Sequence, residues 1–262
     1  MQLPYALRTL GQRLFRHVPV RVRSGVNRGR RWSLVTTGRG YGSGRFGRAR
    51  VEVLEALLQP GECFLDLGAH KGFMSLAASR LVGPAGTVIA VEPATTNLWF
   101  LERHLRWNHA NNVQIVRAAV GADSRTVKFG GQGDSLAYEV GTGDEDVPLR
   151  PVDRLLHEYG LPRPTAIKMD IEGRELDALQ GGRTLLRPDV FLLISVHTRE
   201  LYDRCQKLLE DAGFRLFPSH EIALRLSGVE PEWGGDHDLL AVGAERAVDA
   251  SKLGELNLFR GS

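Results

Sequence analysis

In the stretch Lys168-Met169-Asp170-Ile171-Glu172-Gly173, three ionisable residues alternate with apolar ones. Alternate side chains of an extended strand project to one face, so Lys168, Asp170 and Glu172 are expected to line one edge, with Gly173 releasing the chain. His197 follows the mostly apolar run Phe191-Leu192-Leu193-Ile194-Ser195-Val196 and is expected at the same mouth. An imidazole, with an unperturbed pKa of ~6.5, can take the proton from a hydroxyl as that hydroxyl attacks an electrophilic carbon. Asp170 would orient the ring or hold the hydroxyl. Asp170, Glu172 and His197 could instead hold a Mg²⁺ that acidifies the hydroxyl, but magnesium prefers all-oxygen ligands. A metal-free base is therefore the favoured reading, and no metal ligands are assigned. Plainer roles stand beside these: Glu172 as a helix cap near Arg174, Lys168 as an ion-pair partner, His197 bonded only to backbone.

Groups so far apart in sequence need a rigid frame to meet. Short apolar runs alternate along the chain with longer segments of helical period. Strands are expected near 63–67, 87–92, 113–117, 165–170, 190–196, 214–217 and 237–242, and helices over 51–58, 71–82, 95–108, 152–159, 174–186 and 199–212. Phe64, Leu65, Leu67 and Val190 to Ile194 are apolar on both strand faces, as strands buried between helix layers are. Residues 118–149, interrupted by Gly130, Gly131, Gly133, Gly141 and Gly143, read as an added hairpin and a loop. The expected fold class is α/β: a doubly wound, mostly parallel sheet of seven strands behind a basic N-terminal extension.

Open sheets of this kind bind ligands outside the carboxyl ends of their strands. The first sheet strand runs into Asp66-Leu67-Gly68-Ala69-His70-Lys71-Gly72. Gly68 permits a tight turn, and Gly72 lets a helix begin close to strand and ligand. The spacing is neither GxGxxG nor GxxxxGK[ST]. A carboxylate at Asp66 would repel a pyrophosphate but suits a ligand bearing an ammonium and a sulfonium, and S-adenosylmethionine is that ligand. Glu92, ending the second strand, is expected to accept both ribose hydroxyls, or else to cap a helix that opens at Pro93. Cofactor contacts are expected from Asp66, Gly68, Ala69, His70, Gly72, Phe73, Glu92, Ala119, Ser135 and Asp170. Asp134 and Ser135 would close over the methionine end or form a self-bonded turn.

The combination resembles the FkbM-type S-adenosylmethionine-dependent methyltransferases over about Gly61 to Phe217. It is carried by Phe64 to Gly72, Val91-Glu92-Pro93, Asn108, Val147-Pro148-Leu149 with Val152-Asp153, Ile167 to Glu175, and Ile194-Ser195-Val196-His197. The resemblance implies a class I methyltransferase Rossmann-like fold and O-methylation of hydroxyls on natural products, sugars or lipids. Two positions depart from the family pattern: His70 stands where Asn is usual, and Ser195 where Glu is usual.

Twelve of the 34 basic residues, all arginine, and none of the 31 acidic ones fall in residues 1–50, so the remainder carries 22 basic against 31 acidic groups. The net charge of +3 does not mark the whole molecule as a polyanion binder; the asymmetry marks one arm. Leu3, Leu7, Leu10 and Leu14 share a helical face whose flanks carry Arg8, Arg13 and Arg16. This amphipathic helix in residues 1–17 is expected either to lie in an anionic membrane interface or to pack on the acidic body. Apolar runs fall well short of the ~18 residues a span requires, and no signal-peptide pattern opens the chain. Cys63 and Cys205, the only cysteines, have no partners at metal-ligand spacing. A cytoplasmic location is expected, with peripheral membrane contact through residues 1–17 as the alternative to packing on the body.

The organisation expected is a basic extension (1–50), a methyltransferase domain (51–245) and a tail (246–262). Trp99, Trp107 and Trp233 read as core or rim aromatics. The leading functional reading is an O-methyltransferase acting on a small-molecule, sugar or lipid-linked hydroxyl, its acceptor pocket built from loops 33–47, 131–146 and 219–236. The alternatives are a nucleic-acid methyltransferase using the arginine arm, and a non-catalytic cofactor-binding module. Nucleic acid is disfavoured as a partner, because base-amino chemistry usually places Asn or Asp, Pro-Pro and an aromatic where this chain has Met-Asp-Ile-Glu. Intact Asp66, Gly68, Gly72, Glu92, Asp170 and His197 disfavour a decayed module.

Overall fold

The computed structural model describes residues 15–38, 40–130, 139–218 and 237–246. The expected helix at 1–17 and the positions of Asp134, Ser135 and Trp233 lie outside this set, apart from residues 15–17. The chain opens with an antiparallel hairpin of β1 (Pro19–Arg21) and β2 (Arg31–Ser33). Helix α1 (Arg48–Leu57) starts earlier than its apolar period indicates, because Gly47, at a left-handed φ of 54°, turns the chain into it and Arg48, Ala49 and Arg50 propagate helix well. Strand β3 (Cys63–Leu67), helix α2 (Phe73–Val82), strand β4 (Thr87–Val91), helix α3 (Thr95–Trp107) and strand β5 (Val113–Val116) form one half of the sheet.

A four-stranded annex follows: β6 (Ala119–Val120), β7 (Arg125–Gly130), β8 (Glu139–Val140) and β9 (Glu145–Arg150), in the order β6-β9-β7-β8. The antiparallel β7/β9 pair is the expected hairpin. The second half comprises α4 (Val152–Glu158), β10 (Ala166–Met169), α5 (Glu175–Gly181), β11 (Phe191–Val196), α6 (Arg199–Asp211), β12 (Arg215–Pro218) and β13 (His237–Val242). Helix α5 is shorter than expected. Gly181 and Gly182 end it, a Cβ on Gly181 would crowd Pro151 and the Gly121 carbonyl, and residues 183–185 form only a 3₁₀ turn.

The main sheet runs β12-β13-β11-β10-β3-β4-β5, parallel except where β13 pairs β11 and β12. Chain order reverses between β3 and β10, which is where such folds open a crevice. Strands β3, β10 and β11 are buried over nearly their whole length, with successive residues feeding opposite layers. Phe64, Phe191 and Leu240 pack under α1 to α3, and Leu65, Leu192 and Leu239 under α4 to α6.

The extension is part of the first layer. Trp32, fully buried, stacks on His104 of α3 at 3.7 Å between ring centres, and Asn27 donates to the Phe73 carbonyl (2.8 Å). His104 Nδ1 donates to the Lys71 carbonyl (2.7 Å), so Nε2 carries the lone pair that accepts the Ser33 N–H (3.0 Å). Burial, joined by the charges of Lys71 and Arg103, lowers the His104 pKa from 6.5 to about 4. The neutral ring therefore stabilises the docked extension above pH ~6.5, and that contribution, about 3 kcal/mol, is lost as pH falls towards 4. Urea unfolding between pH 7 and 4 should show a His104→Gln variant, which keeps a donor and an acceptor but does not titrate, losing about 3 kcal/mol less than wild type. Equal losses would sink this assignment.

Candidate active site

At the switch point β3 and β10 end side by side. Gly68, at φ 77°, passes so near β10 that a Cβ would collide with the Asp170 carbonyl. This glycine therefore sets the width of the crevice floor. Beyond Met169 the chain makes a tight turn, with Glu172 itself at φ 55° and Gly173 at 91°, into α5. The turn is capped not by Glu172 but by Glu175, whose Oε1 accepts the N–H groups of Ile171 (3.1 Å) and Gly173 (3.3 Å). Glu172 is left to face the mouth.

His197, one residue past β11, directs Nε2 at three carboxylates: Asp170 Oδ1 at 3.6 Å, Glu175 Oε1 at 3.7 Å and Glu172 Oε2 at 3.9 Å. Asp170, Glu172 and His197 offer ligand atoms all within 4.8 Å of one another. Against a cation there, Arg50 of α1 already donates to Asp170 Oδ2 (3.1 Å) and reaches Asp238 with its Nε (2.8 and 3.0 Å). Asp238 lies opposite Ser195 across the β11/β13 pair and accepts the Ser195 hydroxyl (2.8 Å). Ser195 is thus bonded to a carboxylate on the neighbouring antiparallel strand. Burial of Asp170 would raise its pKa, but contact with His197 and the charges of Lys168 and Arg50 outweigh it and hold the carboxyl well below its usual range. Burial pushes Glu175 the other way, upward.

Lys168 does not reach this mouth. Its side chain folds back under the loop, donating to the carbonyls of Gly68 (2.7 Å) and Leu67 (3.3 Å) with Nζ 3.2 Å from Asp66 Oδ1. Both residues are buried, and Asp66 also accepts the Ser75 hydroxyl (2.6 Å). The expectation that Asp66 faces a ligand's cationic end, and that Lys168 lines the edge with Asp170 and Glu172, is corrected. A carboxylate inside a fully buried strand needs an internal counter-ion, and Lys168 is the nearest side chain able to provide one.

The cleft above the crevice is lined by Gly68, His70, Val91, Glu92, Pro93, Asn97, Ala118, Ala119, Val120, Phe129, Val140, Asp170, Ile171, Glu172 and Arg174. Of the expected cofactor residues, Gly68, His70, Glu92, Ala119 and Asp170 are here. Asp66, Ala69, Gly72 and Phe73 are not. Gly72 instead makes room for Leu101 of α3, and Phe73 packs edge-on against Trp32 and Tyr41 of the extension. Glu92 is held from three sides: Oε2 accepts the His70 N–H (2.7 Å), and Oε1 accepts the Ala94 N–H and Asn97 Nδ2–H (both 3.0 Å). A carboxylate accepts about four hydrogen bonds, so with these intact one ribose hydroxyl can bind, not two. Burial raises the Glu92 pKa against the pull of these bonds. Asn97, Arg50, Glu175 and Asp238 were not singled out from sequence. Asn97, on the first turn of the helix after Glu92, and Glu175, three residues past Glu172, lay close enough in the chain to be found.

A family model described as the methyltransferase FkbM domain matches residues 66–216. The chain belongs to the FkbM methyltransferase family. No curated protein matches it. Among solved structures, a protein described as an rRNA methylase from Clostridium thermocellum superposes with a TM-score of 0.50 at 9% identity, over 76% of this chain and 95% of that one. The FkbM methyltransferase from Methylobacillus flagellatus KT gives 0.49 at 21% identity, over 68% of this chain but only 43% of its own. Aeropyrum pernix fibrillarin, with natively bound S-adenosyl-L-methionine, gives 0.48 at 18%, over 74% of each chain.

This FkbM protein is thus an S-adenosylmethionine-dependent methyltransferase with the class I Rossmann-like fold. Its cleft suits that cofactor by its own chemistry. Apolar Val91, Ala118, Val120 and Phe129 would flank a purine, Glu92 would take a ribose hydroxyl, and Asp170 and Glu172 would face the cationic end, where a pyrophosphate would be repelled.

Proposed function

We propose that this enzyme is an O-methyltransferase acting on a hydroxyl of a small-molecule, sugar or lipid-linked acceptor. The single observation that supports this reading is His197 set against Asp170, Glu172 and Glu175 at the end of the strands, 3.6 to 3.9 Å from each. S-adenosylmethionine, when bound, supplies a methyl group activated by its sulfonium. A neutral alcohol is a poor nucleophile towards that carbon and must shed its proton as the bond forms, so a nearby base accelerates the step. The carboxylates, all within 3.9 Å of Nε2, would orient the ring and stabilise the imidazolium once it has taken the hydroxyl proton. Contact with His197, joined by the charges of Lys168 and Arg50, keeps Asp170 ionised. His197 does not line the cofactor cleft itself; it meets it through Asp170 and Glu172, so the acceptor would approach from the β11 side.

Incubation with methyl-labelled donor and separate lipid, sugar and RNA pools tests the reading. Label is expected in a lipid or sugar fraction and should survive mild alkali, as an ether does and an ester does not. Label confined to RNA, or released by alkali, would overturn it.

A further inference from the structure

The enzyme also carries a surface that the methyl-transfer site does not use. Four large hydrophobic residues are exposed among the described residues, and three of them, Phe15 (51%), Val18 (39%) and Leu34 (40%), lie together. The Val18 N–H donates to the Phe15 carbonyl (3.0 Å) and the Leu34 N–H to the Val18 carbonyl (2.9 Å), so the backbone brings the three positions side by side. Arg16 and His17 sit inside it and reach α3. The Arg16 guanidinium lies 4.6 Å from the centre of the Trp99 ring, Arg103 lies 4.4 Å from the same centre, and His17 meets the ring edge-on at 5.3 Å. Arg106 crowds Arg103, which burial and the charges of Arg106 and Arg16 together destabilise as a cation. Against these, α3 offers a single carboxylate, Glu102. Clustered like charges of this kind are relieved by an external anion.

We infer that this patch docks the enzyme on an anionic lipid surface, Phe15, Val18 and Leu34 entering the acyl boundary while Arg16, Arg103 and Arg106 meet the head groups. Cations around a tryptophan, beside protruding apolar side chains, are the composition that seats a protein at a bilayer interface. A nucleic acid would meet the same charge, but it gains nothing from the aliphatic Val18 and Leu34, and only Phe15 of the three could stack on a base. The Trp99 ring, covered by Arg16 and Arg103, is also closed to base stacking. The leucine stripe at positions 3, 7, 10 and 14 leads directly into Phe15, so the sequence before the patch has matching chemistry. The inference does not depend on which acceptor is methylated.

The test is sedimentation of the full chain with vesicles of phosphatidylcholine, with and without phosphatidylglycerol. Wild type should partition onto the anionic vesicles, weakly onto neutral ones, and less as salt rises. A Phe15→Ser/Val18→Ser/Leu34→Ser variant should partition about tenfold or more less well, since it loses the inserted side chains, and Arg106→Glu should weaken binding at low salt only. All four positions are exposed, so thermal unfolding of these variants should match wild type. Failure of wild type to sediment, or unchanged partitioning of the triple variant, would each overturn the proposal.

Discussion

Replacing His197 with alanine should slow methyl transfer about 10²- to 10⁴-fold while leaving cofactor affinity close to wild type. The loss corresponds to roughly 3–5 kcal/mol of transition-state stabilisation, the range for removing a positioned general base. Affinity should survive because His197 is not among the residues lining the cleft, which is built from the ends of β3 and β4, the turn after β10 and the annex. Single-turnover rates separate the chemical step from product release, and calorimetric titration with the cofactor reports binding independently. A variant that turns over at the wild-type rate would remove His197 as base. A variant that loses cofactor affinity by a similar factor would instead make His197 a support for Asp170, whose Oδ1 lies 3.6 Å from its Nε2.

Lys168→Met is expected to produce the largest loss of stability. Lys168 and Asp66 expose only 5% and 0% of their side chains, with 3.2 Å between Nζ and Oδ1. Removing the ammonium strands a carboxylate inside a buried strand with, among the described residues, only the Ser75 hydroxyl as donor, and leaves the Gly68 carbonyl without its 2.7 Å partner. Breaking a buried pair in this way costs about 3–5 kcal/mol, or about 10 °C in Tm for a domain of this size. Cofactor affinity should fall as well, because the loop carrying Gly68 loses its anchor. Adding Asp66→Asn should restore much of the stability, since no charge then remains uncompensated. A single variant within about 1 kcal/mol of wild type, measured by denaturant titration, would show that the pair contributes little.

These two expectations rest on residues of different legibility. His197 and Asp170 could be found from sequence because each lies at the end of an apolar run that reads as a buried strand. The ends of parallel strands must gather at one edge. Glu172 was legible as part of the same alternation, although the cap assigned to it belongs to Glu175. Lys168 followed the alternation too and went elsewhere. A long side chain can fold back towards the nearest buried acid, and alternation counts positions, not reach. The Gly68 turn was legible, but the neighbour that requires it, the Asp170 carbonyl, belongs to a strand distant in sequence. Gly72 and Phe73 were assigned to the cofactor on proximity, whereas α3 and the extension claim them.

The order of strands and helices, the bend after β3, the carboxylates beyond β10 and the arginine bias of the first fifty residues are properties of local pattern, so sequence alone determined them. Which charges meet was decided only by tertiary structure. Arg50 bonds Asp170 and Asp238 across separations of 120 and 188 residues, and Ser195 faces Asp238 because β13 runs antiparallel to β11 in one particular register. Register is the outcome of packing both sheet faces at once, and no stretch of chain short enough to show a period contains that information.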